Sequence, residues 1–377
     1  MEERIYDYWV ATLQDGYLGN LTELVRKAGG AKAFYELTGT DMTERLGISN
    51  RLADYFAERK KDEDLIEKEY ELLEKKEISY VNHTDHDFPT RLKCIPSPPY
   101  GLFVKGRLPD ASRPAVAVIG SRECSEYGRI MAEYFGGNLA KEGIDIISGM
   151  AWGIDGIAQS AALAAGGRSY GVLGCGVDIT YPSKNMVLYR KLCRNENGLI
   201  SEYAPGTAAE ARRFPPRNRL ISGLCDALIV VEARAKSGTL ITVDMAIDQG
   251  RTVMVVPGRL TDSLSAGCIN LMYQGALPAT SIDTVMEQLG MTVISKRSKR
   301  TTPDAKKKDE KKLPEDMKTV ASNLTLDPRS TDEIAELADM PIKTVMIILS
   351  KLEMEGIAKE VYPGRFVRGD IERPQFD

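Results

Sequence analysis

Residues 226–258 read DALIVVEARAKSGTLITVDMAIDQGRTVMVVPG. Two apolar runs, "DALIVVEA" and "TVMVVPG", flank a loop of small and basic residues and a helix-like piece, "GTLITVDMAIDQG". Apolar runs without strict polar alternation suit parallel strands covered on both faces. Strand, loop, helix, strand is the repeat of a doubly wound sheet.

The same texture extends back to about residue 113. "PAVAVIGS", "IDIISGMA", "RSYGVLG" and "GLISEY" are further short apolar runs, and "EYGRIMAEYFGGNLAKEG" and "GIDGIAQSAALAAGG" are helix-like stretches between them. An α/β fold with a mostly parallel, Rossmann-like sheet is expected over 86–294. Ligands of such sheets sit at the C-terminal strand ends, where Gly and Ser cluster here.

Around this block lie three other regions. Residues 1–85 carry apolar residues at three- and four-residue steps, broken by Gly29-Gly30 and Gly39, and predict a small helical domain. The proline-rich stretch "HTDHDFPTRLKCIPSPPYGLFVKG" predicts an extended connector. His83 and His86 beside Asp85 and Asp87 lack a third ligand pattern, so no metal site is assigned. Residues 295–312, with nine Lys or Arg and three acids, predict a flexible charged linker, either a plain tether or a loose electrostatic contributor to polyanion binding. Residues 313–377 give three helical pieces and two strands around Pro363-Gly364, the pattern of a winged helix.

Bulk properties limit the function. The 377 residues are 43% hydrophobic and 28% charged, with a net charge of −4, so any nucleic-acid contact must come from a local basic patch. The six cysteines form no CxxC pair and read as reduced thiols. No apolar run approaches a membrane span, and "MEERIYDYWVATLQDGY" does not resemble a signal peptide. A cytoplasmic protein is expected.

Three loops follow strands and open helices: "GSRECSEYG" from Gly120, "SGMAWGIDGIA" from Ser148 and "AKSGTLITVDMA" from Ala235. Small residues admit close approach, and free N–H groups at each helix start can hold phosphate oxygens. Arg122 and Lys236 add charge to the first and third loops. A fourth segment, "FPPRNRLISG" at 214–223, brings Arg217 and Arg219 close behind Arg212 and Arg213. Arginines opening a helix oppose its dipole unless an anion is bound there or nearby acids pair with them. GxGxxG is absent after Gly120 and no Walker GxxxxGK[ST] occurs, so no nucleotide cofactor is expected. Asp155 is either a catalytic acid or a residue that orders its own turn. Trp152 either stacks on a base or packs in the core.

Together "VIGSR", "SGMAWGIDGIAQSAAL", "GVLGCGVDITYPSKN", "ISEYAPGT", "FPPRNRLISGL", "VVEARAKSGTLITVDMAIDQGRTVMVVPG" and "SAGCINLMYQGA" resemble the DprA/Smf family of DNA-processing proteins, over about 88–285. The resemblance implies an N-terminal domain of SAM or helix-hairpin-helix type, an extended Rossmann domain and a C-terminal winged helix. It implies a homodimer that binds and protects single-stranded DNA and helps load the RecA recombinase in natural transformation, with no enzymatic activity. Carried over by position, the DNA contacts are Ser121, Arg122, Phe214, Arg217, Asn218, Arg219, Lys236, Ser237, Gly238 and Thr239. Gly149, Met150, Ala151 and Gly153 lie alongside, and Lys184 and Asn185 border the pocket.

Two rivals remain. LOG-type phosphoribohydrolases resemble this sheet, but Thr242 stands where their motif carries a catalytic Glu. A winged-helix DNA-binding regulator is the second. Residues 315–377 hold 13 acids against 8 bases, a balance of −5, and the candidate recognition helix mixes Lys343 and Lys351 with Glu353 and Glu355. A helix meant for a DNA groove should be cationic, so this module is expected to contact protein, or to bind DNA only weakly.

Overall fold

The computed structural model describes residues 2–16, 19–291, 313–325 and 327–369. The charged linker expected at 295–312 lies outside them. The described chain forms two compact units, one holding the N-terminal helices and a large sheet, the other the C-terminal helices and a small sheet.

The large sheet has nine strands: β1 Ser79–Asn82, β2 Gly101–Gly106, β3 Ala115–Ile119, β4 Asp145–Ser148, β5 Ser169–Val172, β6 Gly198–Ser201, β7 Ala227–Val230, β8 Thr252–Val255 and β9 Leu277–Pro278. Their order is β1-β2-β6-β5-β4-β3-β7-β8-β9. From β6 to β9 all neighbours are parallel, while β2 runs antiparallel to both β1 and β6. Every residue of β3, β4, β5, β6 and β7 is buried, as strands covered on both faces require. The expected Rossmann-like α/β sheet is present. Its switch point lies at β3, whose neighbours β4 and β7 are reached by crossovers to opposite sides.

The connector expectation is corrected. The stretch around the prolines contains a short helix, Thr90–Lys93, and β2, a strand of the large sheet. Proline content hid the strand because Pro96, Pro98 and Pro99 all precede it. The expected boundary at 85/86 falls between two strands that pair, β1 and β2. The N-terminal helices also share a core with that sheet edge: Trp9, Phe34 and Phe56 belong to one buried cluster with Tyr80, Tyr100 and Phe103. The helices themselves form where the chain supplies caps. Asn20 accepts from the Glu23 N–H at 3.1 Å, and Thr38 and Asp41 form a reciprocal capping box.

The second unit contains helices Glu315–Ser322, Thr331–Ala338 and Ile342–Met354 and strands β10 Arg329–Ser330, β11 Ala358–Tyr362 and β12 Arg365–Arg368. β12 pairs antiparallel with both β10 and β11. This is the expected winged helix, with β10 as an extra short strand, and it has its own core around Val320, Ile334, Val345 and Leu349. No described helix is long and apolar enough to cross a membrane.

Candidate nucleic-acid interface

An open cleft of about 650 Å³ lies beyond the C-terminal ends of β3 and β7. The loops after those strands supply Ser121 and Arg122 on one side and Lys236, Ser237, Gly238 and Thr239 on the other. Ala151 comes from the loop after β4, and Phe214, Arg217 and Asn218 from the helix Phe214–Leu224. The fold thus gathers residues from four separated segments at the switch point.

Other expected residues brace the cleft instead of lining it. Asn185 is buried, and its Nδ2 donates to the Met150 carbonyl at 2.9 Å and the Ala151 carbonyl at 3.1 Å. Those bonds hold Met150 in the left-handed region, at φ 55°. Gly153 has φ 85° and ψ −136°, and a Cβ there would run into the Ser121 and Arg122 carbonyls. Only glycine lets the two loops meet this closely, and the Ile154 N–H donates to the Ser121 carbonyl at 3.2 Å. Gly149 lies beside a smaller recess of about 210 Å³ that adjoins the cleft.

The arginines of 212–219 divide by environment. Arg213 is buried and paired with Asp15 and Glu210. Arg219 donates to both Glu202 oxygens, at 2.9 and 2.6 Å, and to the Ser97 carbonyl at 2.9 Å. Its charge is therefore met inside the protein, away from the cleft wall. Arg217 is 5% exposed, and its Nη1 donates to the Gly149 carbonyl at 3.0 Å and to the Val172 carbonyl. Burial lowers the Arg217 pKa, and Asp155 opposes that shift; burial raises the Asp155 pKa, and Arg217 opposes it. Asp155 also accepts the Gly149 N–H at 3.0 Å, so it orders its own loop. Arg217 ties the ends of β4 and β5 together beneath the cleft while contributing positive charge to its floor.

Arg122 and Lys236 are exposed, and among the described residues neither has an ion-pair partner. Sequence reasoning missed two lining residues. Arg234 belongs to the same loop as Lys236, and its Nη1 donates to Ser263 Oγ at 3.3 Å. Tyr181 stacks on Phe214, with ring centroids 5.3 Å apart and planes at 26°. The "YPSKN" segment that drew attention to Lys184 also contained it. Arg122 and Arg217 stand 5.9 and 5.7 Å from the Phe214 centroid. Trp152 is 50% exposed, which rules out the core reading, and Lys184 Nζ sits 5.2 Å from its ring.

The third wall is a helix start. Ser237 Oγ accepts the Thr239 N–H at 3.2 Å, and nothing lies within 4 Å of where a Gly238 Cβ would point. The remaining first-turn N–H groups can therefore accept an anion. Unpaired cations, an open helix N-terminus and exposed aromatic faces offer contacts to phosphates and unpaired bases together.

The family comparisons follow this geometry. Residues 79–290 match the model of DNA recombination-mediator protein A, and 304–361 match the DprA winged helix domain. This chain belongs to the DprA/Smf family. It is 42% identical over 204 residues to DNA processing protein DprA of Streptococcus pneumoniae, covering 54% of this chain and 72% of that protein. It is 34% identical over 286 residues to Protein Smf of Escherichia coli, covering 74% and 75%. The crystal structure of the pneumococcal DprA covers 76% of this chain and 98% of that one, at 34% identity and a TM-score of 0.66. A structure describing the single-stranded DNA binding mode of DNA processing protein A from Helicobacter pylori covers 56% and 95%, at 28% identity and a TM-score of 0.50. Membership in the DprA/Smf family accounts for both the sheet unit and the winged helix, and marks this as a DNA-processing protein.

Proposed function

We propose that this chain binds single-stranded DNA without reading its sequence, along the cleft at the C-terminal strand ends. One observation carries the proposal: Arg122, Lys236 and the open helix start at Gly238 face the same cleft as the Phe214–Tyr181 stack. Backbone N–H groups and cations meet phosphates, and aromatic faces meet bases of any identity. The single-stranded DNA binding of the Helicobacter pylori relative supports the reading.

Within this proposal the protein is a cytoplasmic homodimer that protects incoming single strands and hands them to the RecA recombinase during natural transformation. Those parts rest on the family resemblance. The protein acts as a binder and not an enzyme: Thr242 lines the cleft with a hydroxyl where a phosphoribohydrolase needs a carboxylate.

Fluorescence anisotropy with labelled single-stranded and duplex oligonucleotides tests the proposal. Single strands of unrelated sequence bind alike and duplex binds more weakly, with neither ATP nor metal added. The Arg122→Ala/Lys236→Ala variant loses most of the affinity while keeping its melting temperature. Preference for duplex, or full affinity in that variant, overturns the proposal.

A further inference from the structure

The winged-helix unit presents an unusual face on the helix Ile342–Met354. Val345, Ile348, Leu349 and Leu352 are buried in the unit's own core. On the opposite side Ile342, Met346, Ile347 and Met354 are 48%, 56%, 59% and 89% exposed. With about 100° of turn per residue, these four share a single outward arc with Ser350. The helix therefore has two apolar faces, and the core of its unit covers only one.

A helix that reads a DNA groove presents cations and hydrogen-bonding groups there. This arc presents mostly methyl groups and a thioether, and laying them against phosphates would strand them. A protein surface is the better match. The charges along the arc say which. Lys343 stands at the N-terminal end, and Glu353 and Glu355 at the C-terminal end, all exposed. Two copies of this helix packed antiparallel bring each Lys343 level with Glu353 and Glu355 of the other copy. Ile342 then meets Met354, and Met346 meets Ser350. The antiparallel arrangement also opposes the two helix dipoles favourably. A two-fold contact requires such self-complementarity, and this arc has it in both charge and shape.

We infer that the winged-helix unit associates with a second copy of itself through the outer face of the helix Ile342–Met354, the two helices running antiparallel. Thirteen residues span about 20 Å, so the contact is small, and small interfaces are weak and transient. It acts as a secondary contact that joins chains when they are concentrated, as when several lie on one strand. The inference does not depend on the DNA-binding proposal, because none of its residues lines the cleft.

Sedimentation velocity of the full chain over a wide concentration range tests it. The unaltered protein shows a species that grows with concentration, and Met346→Glu removes it. Met346 is exposed, so this variant keeps its fold, which circular dichroism checks. Lys343→Glu and Glu355→Lys each weaken the association, and combining them in one chain restores it. Single-stranded DNA affinity, read on the same variants, stays at the unaltered value whether or not the association exists. An unchanged concentration dependence in Met346→Glu overturns the inference. So does a combined charge variant that sediments like the singles, since the antiparallel pairing would then be absent.

Discussion

Arg219 and Glu202 face each other through two parallel hydrogen bonds, with the two side chains 13% and 1% exposed. Removing the arginine leaves a buried carboxylate uncompensated, which costs about 3–5 kcal/mol. Arg219→Ala is therefore expected to lower the melting temperature strongly, and Arg219→Lys to recover little, because lysine cannot make the bidentate fork. Thermal denaturation checks this. A stable Arg219→Ala protein that has lost only DNA affinity would contradict the assignment of this arginine to the fold.

The free cations of the cleft predict a salt dependence. Each phosphate neutralised on a single strand contributes about 0.7 to the slope of log affinity against log salt. The Arg122→Ala/Lys236→Ala variant should thus show a slope shallower by about 1.4 if each residue holds one phosphate. Titrations at four or more salt concentrations give the slope directly.

The two tryptophans report separately. Trp9 is fully buried and Trp152 is 50% exposed beside the cleft. Single-stranded DNA is expected to quench part of the intrinsic fluorescence, and Trp152→Phe to abolish that response while leaving the Trp9 signal. A response that persists in Trp152→Phe would place the DNA elsewhere.

Gly153 couples the first two loops of the cleft. An alanine there must adopt a backbone conformation costing about 1–3 kcal/mol, and it must push the Arg122 loop away. Gly153→Ala is expected both to destabilise the protein and to weaken DNA binding at temperatures where it remains folded. Affinity measured well below the melting transition separates the two effects.

Asp15 gives the sheet unit an acid-sensitive tie. The hydrogen bond from Arg213 holds its carboxyl below the ordinary range. A depressed folded-state pKa contributes stability above the unfolded value, about 3.9, and that contribution is lost as pH falls through the folded value. Melting temperature should therefore drop below about pH 4, and Asp15→Asn should flatten this part of the curve. An Asp15→Asn curve parallel to that of the unaltered protein would remove the pair from the account.

The central strands were legible because burial on both faces leaves an unbroken apolar run, as in Ala115–Ile119 and Ala227–Val230. β2 was not, because its prolines precede the strand and its partner β1 follows a helical region. β9, only Leu277–Pro278, carries no sequence signal at all. In the cleft, Arg122 and Lys236 could be picked out from their loops. The burial of Arg217 and the pairing of Arg219 could not. Glu202 lies 17 residues before Arg219, and only the packed fold brings them together. The reading of Trp152 stayed open until its exposure was known, since an indole within a Gly-rich loop suits either environment.

The ends of the large sheet have a consequence for solubility. A long, flat outermost strand offers unpaired N–H and C=O groups to any passing chain, and proteins blunt such edges to avoid aggregation. Here one edge is the four-residue β1, packed under the N-terminal helices through Tyr80. The other is the two-residue β9, where Pro278 has no N–H to donate. Both rims thus offer little template for strand addition. A protein that gathers on a nucleic-acid strand reaches high local concentration there, and blunt rims let it crowd without its sheets fusing.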